Sequence, residues 1–152
     1  MASWWRLYKE EATYALLIGA VIVAVWATRQ VSVGVPGFCR QTFRELASGK
    51  PSAQSRLEWE RLSAMGLDVG MAYRSFARGQ DRQRYMQKFI QSFANSFRQQ
   101  GAKPDDFVRW RLVGETPVYL VVGADYPAKQ RTLLFAVPKD GKRRVAAIQW
   151  AS

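Results

Sequence analysis

Three rhythms of apolar and polar residues follow one another along this chain, and each predicts a different kind of element. From Ala12 to Ala27, ATYALLIGAVIVAVWA, there is no alternation: the run is uncharged and apolar on every face of a helix. From Ser55 to Gly101 apolar residues recur three and four positions apart, the helical period. After Pro104 the period shortens to two, as in strands with one buried face. These changes divide the chain into an N-terminal anchor over 1–29, a linker with a short helix over 30–54, and an α+β domain over 55–152.

The apolar run predicts a single transmembrane helix. Its uncharged part spans ~24 Å of helix, slightly less than a hydrocarbon core. Trp4, Trp5, Tyr8 and Tyr14 at one end and Trp26 at the other suit the two interfacial belts, and Arg6, Lys9 and Arg29 can snorkel to the headgroups. A cleaved signal peptide and a buried core helix are the competing readings. Glu10 and Glu11 before the run and Trp26 beside the cleavage site weigh against the first; the missing polar face weighs against the second.

In the linker, QVSVGVPGF reads as extended chain, and Thr42 to Glu45 as a capping box opening a short helix that stops at Gly49. Ser55 to Glu58 is a second capping box. It heads a helical region carrying Trp59, Leu62, Met65, Val69, Ala72, Tyr73 and Phe76, which Gly66 and Gly70 either split or let pack closely on a neighbour. Asp81 then caps a long helix in which Tyr85, Phe89, Phe93 and Phe97 fall four apart. Aromatic rings interleaved with Arg84, Lys88 and Arg98 also suit a nucleic-acid platform, but such platforms project rings from strands or loops. The stripe is therefore expected to lie against the late strands as core.

Four strands should follow. FVRWRL places Val108, Trp110 and Leu112 on one face and Arg109 and Arg111 on the other; VYLVVG, RTLLFAV and RRVAAIQW complete a meander, with Asp140-Gly141 as a tight hairpin turn. The expected fold class is α+β, helices packed on a curved four-stranded antiparallel sheet.

Charge and cysteine content narrow the chemistry. The net charge is +11, and none of the surplus lies in the first 27 residues. The domain thus suits anionic lipid, an acidic partner or nucleic acid. With no histidine and one cysteine, histidine catalysis, an intramolecular disulfide and a multi-thiolate zinc site are excluded. Cys39 reads as an inert thiol, with an intermolecular bridge or palmitoylation as alternatives.

The order of elements, and the closing phrase TLLFAVPKDGKRRVAAIQW with Gly141, Lys142, Val145 and Ile148 in register, resemble the cystatin-like, nuclear-transport-factor-two-like superfamily in its membrane-anchored bacterial form. LDVGMAYRSFARG followed by DRQRYMQKF is similar to the paired helices of that family. Arg143 and Arg144 stand where most members carry a Trp. The resemblance covers about residues 55–152 and implies a cone-like half-barrel, pairing of two copies through the outer sheet face, and an extracytoplasmic domain. The near balance of basic residues around the apolar run slightly favours the opposite orientation.

The resemblance also implies a lyase-type alternative, an Asp with a Tyr in a pocket, for which the candidates are Asp68, Tyr73, Tyr85 and Tyr119. No second catalytic group follows from their spacing. Asp105 and Asp106 read as a turn cap. The expected role is a non-enzymatic, single-pass membrane protein acting as an assembly or docking module, without cofactor or metal. Its partners are lipid through Ala12–Ala27, other membrane-complex subunits and a second copy; nucleic acid is disfavoured, because no recognition helix or zinc motif accompanies the charge. The residues expected to meet a partner are Lys139, Lys142, Arg143 and Arg144 in the last hairpin and Arg109 and Arg111 on the first strand, weighed against a solvated surface that protects a sheet edge.

Overall fold

The computed structural model describes residues 34–152. The expected anchor over 1–29 lies outside the described residues, among which no helix is long and apolar enough to cross a membrane. The described chain is α+β, with three α-helices and one six-stranded sheet.

Helix α1 runs Val35–Ala47 and so begins inside the expected linker. Pro36 stands in its first turn, where a fixed φ suits the helix and the missing N–H is no loss. Val35, Cys39, Phe43 and Leu46 form its buried face. Thr42 opens nothing: its hydroxyl donates to the Phe38 carbonyl one turn back, at 2.8 Å. The helix closes with Lys50 N–H donating to Glu45 O and Gly49 N–H to Leu46 O.

The helix expected from Ser55 to Phe76 is replaced by smaller pieces. Two 3₁₀ turns, Pro51–Arg56 and Trp59–Arg61, lead to strand β1 (Ser63–Ala64), strand β2 (Leu67–Asp68) and helix α2 (Val69–Ser75). Met65 and Gly66 both take positive φ, +50° and +83°, so the chain reverses in two residues, as a tight hairpin requires. Gly70 serves close packing. A Cβ there would lie 2.5 Å from the Glu60 carbonyl oxygen, so only glycine lets α2 approach the preceding turn.

Helix α3 (Gly79–Gln99) buries Met86, Ile90 and Ala94, and the rings of Tyr85, Phe89, Phe93 and Phe97 flank that line half-buried. Strands β3 (Val108–Glu115), β4 (Tyr119–Tyr126), β5 (Arg131–Pro138) and β6 (Ala147–Trp150) form the expected antiparallel meander. The sheet is wider and mixed, however, in the order β2-β1-β6-β5-β4-β3, because β1 adds to β6 in parallel. The last hairpin is also looser than its Asp-Gly pair implied. Val145 is held out of β6 by backbone bonds to Arg56 and Glu58, so the strand starts only at Ala147.

The layering differs from expectation in one important way. The helix lying directly on the sheet is α1, whose Phe43 meets Phe107, Trp110 and Phe135. Helix α3 packs on α1 and on the turn Pro51–Arg56, forming a second layer. Phe93 and Phe97 meet Phe43 of α1, Phe89 meets Trp59 and Tyr85 meets Phe76, and one flank of Phe89, Phe93 and Phe97 faces open space.

Candidate functional site

That open space is a cleft of about 540 Å³ between the ring flank of α3 and the ends of β1, β5 and β6. Phe89, Phe93 and Phe97 form one wall. Phe107, Tyr126 and Trp150 form the other, held by ring packing: Phe107 stacks on Tyr126 with centroids 4.7 Å apart and planes 9° from parallel. Phe43 and Leu133, both fully buried, contribute deeper lining. Met65 and Leu67 on the β1–β2 hairpin extend the apolar surface outwards, and Leu67 is 66% exposed. Such exposure has no folding benefit.

The polar lining is one-sided in charge. Ser92, Ser96, Gln100 and Gln149 supply neutral groups, Lys129 and Arg131 supply two cations, and no acidic side chain among the described residues takes part. The Arg131 guanidinium lies 4.5 Å over the Trp150 ring, which holds it at the cleft.

The lyase candidates do not gather here. Asp68 caps α2 by accepting the Met71 N–H at 3.0 Å. Tyr73 packs on Trp59 beneath the Arg82 guanidinium, and Tyr85 packs on Phe76. Burial, and then the Asp68 carboxylate, push the Tyr85 hydroxyl above its ordinary value, which makes its phenolate harder to form. Tyr119 starts β4, and none of the four lines the cleft. Asp106 accepts the Lys103 N–H and caps the turn Pro104–Asp106, while Asp105 pairs with Arg44. Among the described residues, no group of three or more His, Cys, Asp or Glu side chains is placed to hold a metal. Cys39 is fully buried and its thiol is pushed far up by desolvation, so it stays protonated.

The six basic residues expected to meet a partner fall into two groups. Arg109 takes φ +55° where a bulge breaks the β3–β4 register. This turns Val108 outwards and seats Phe107 in the core in its place. The Arg109 Nε then reaches Asp125 Oδ2 at 2.8 Å, Arg111 Nη1 reaches Oδ1 at 3.2 Å, and Thr132 donates to Oδ1 at 2.9 Å. Burial pushes the Asp125 carboxyl up, but the Thr132 and Arg111 hydrogen bonds and the two arginine charges outweigh it, and the net effect is downward. Both arginines are therefore engaged within their own chain. Lys139 is engaged too, with Glu115 at the other end of β3. Only Lys142, Arg143 and Arg144 are exposed and without an ion pair among the described residues.

No family model, curated protein or solved structure matches this chain. Its function must be read from the site.

Sequence reasoning missed the cleft. Arg131 and Trp150 read as strand positions and Tyr126 and Lys129 as a connection, because nothing in the local pattern shows that α3 stands one layer away from the sheet. The only available signal was an excess of rings over what one helix–sheet interface can bury.

Proposed function

We propose that this chain is a non-catalytic docking module, tethered to a membrane by Ala12–Ala27, whose cleft receives an apolar segment of a partner subunit. The observation that carries the reading is the continuity of the ring-lined cleft with exposed Met65 and Leu67. The apolar surface runs past the cavity onto a protruding hairpin, which suits a peptide or helix better than a compact small molecule. The tether rests on the sequence alone. The test is mild-detergent extraction of the full chain and of Ser96→Trp, which plants an indole in the cleft. Loss of co-purifying subunits with an unchanged thermal midpoint supports the reading, and unchanged subunit composition contradicts it.

A second reading has its own observation. The cleft volume lies within the range of small-molecule sites, and the only charged side chains lining it among the described residues are the cations Lys129 and Arg131. Both features fit a single-chain anionic amphiphile, its tail against the rings and its head at Arg131.

A further inference from the structure

We infer that the loop carrying Lys142, Arg143 and Arg144 is a seat for anionic phospholipid headgroups, placed beside the point where the chain leaves for its apolar N-terminal run. The placement follows from Gly34. A Cβ on Gly34 would lie 2.5 Å from the Arg143 Nη1 and 3.1 Å from its Cζ, so the guanidinium sits directly over the backbone that precedes α1. Only six residues lie between Ala27 and Gly34, so seven Cα steps join them. At about 3.5 Å per step, Gly34 and the guanidinium packed on it stay within ~25 Å of the end of the run. The inference therefore rests on the tether reading.

The loop is fixed near both ends and leaves Lys142, Arg143 and Arg144 exposed. Backbone bonds from Val145 to Arg56 and Glu58 fix one end, and the Asp140 carboxylate accepts the Lys142 N–H at 3.0 Å near the other. Lys139 and Asp140 are occupied by Glu115 and Arg61. Arg143 itself takes φ +39°, a left-handed conformation that disfavours a long side chain and that glycine adopts freely. A strained and exposed arginine between two further cations, packed on Gly34 but without an ion pair among the described residues, keeps its charge free for an anion. Basic residues next to a membrane span are drawn to anionic lipid, each contributing about fivefold in affinity.

The test uses the full chain reconstituted into phosphatidylcholine vesicles, with and without phosphatidylglycerol. Resistance to alkaline carbonate in the neutral vesicles reports the tether alone. Amide hydrogen exchange across residues 139–146 reports the loop. The expected result is protection only in the anionic vesicles, lost at high salt. Arg143→Gly should lower that protection about fivefold while the thermal midpoint holds or rises, and reversal of all three cations to Glu should abolish it. Equal exchange in both membranes overturns the seat and leaves the tether standing. Carbonate release from neutral vesicles, with protection kept in anionic ones, removes the tether and keeps the seat. Protection produced by a single-stranded oligonucleotide and not by phosphatidylglycerol assigns the loop to nucleic acid and overturns the proposal.

Discussion

Phe43 of α1 meets Phe97 of α3 edge to face, with ring centroids 5.2 Å apart and planes at 88°. The same Phe43 ring contacts Phe107 and Phe135 on the sheet side, so one side chain joins both helical layers to the strands. Phe43→Ala should destabilise the domain by about 3–5 kcal/mol, because the ring is fully buried and its neighbours come from three elements. Phe97→Ala, at a half-buried position, should cost less than half as much. Urea unfolding of the two variants checks the ratio; equal losses would mean that Phe43 is not the hub.

The close approach of α2 to the preceding turn makes a second prediction. Gly70→Ala forces a methyl against the Glu60 carbonyl, and a backbone oxygen cannot swing aside as a side chain would. The expected loss is about 1–3 kcal/mol. Thermal unfolding of this variant within about 0.5 kcal/mol of the parent would show that the turn yields easily.

Asp125 gives the chain a defined acid response. Its carboxyl titrates lower in the folded chain than in the unfolded one, so its contribution is present above the unfolded value of about 4 and is lost as pH falls through the folded value. Asp125→Asn should cost about 1–2 kcal/mol at neutral pH. The gap between parent and variant should then close as the solution is acidified below about pH 4. Urea midpoints of both proteins across that range provide the check, and a gap independent of pH would assign the loss to packing.

Much of the architecture was legible, and the parts that were not share a cause. The meander over residues 107–150 followed from alternation, because each strand has one inner face and the Val and Leu positions show it. The aromatic stripe is only half covered, and not by the late strands it was expected to meet. What covers it was not readable, since a row of rings has the same spacing whether it meets strands or another helix. Val35-Pro36-Gly37 resembled a linker because the breakers were counted without their position; at the first turn of a helix proline is no breaker. The Ser55–Phe76 region kept a helical period by coincidence, and Met65-Gly66 decided otherwise through a two-residue reversal. Arg109 and Arg111 read as free cations because Asp125, their partner, lies on another strand at a register displaced by a bulge.

If an anionic amphiphile occupies the cleft, dodecanoate should raise the thermal midpoint of the full chain and an uncharged detergent of equal chain length should not. Arg131→Gln should reduce the shift several-fold. Identical shifts with both compounds would leave only non-specific tail contacts.

Whether a partner subunit sits in the ring-lined cleft is measured most directly by crosslinking within the intact membrane. A photo-crosslinking side chain at Ser96, inside the cleft, is compared with one at Gln87, exposed nine residues earlier and half a turn away on α3. A partner seated in the cleft gives a single discrete adduct from Ser96 that Gln87 does not give. No adduct from Ser96, or the same adduct from both positions, would contradict that placement.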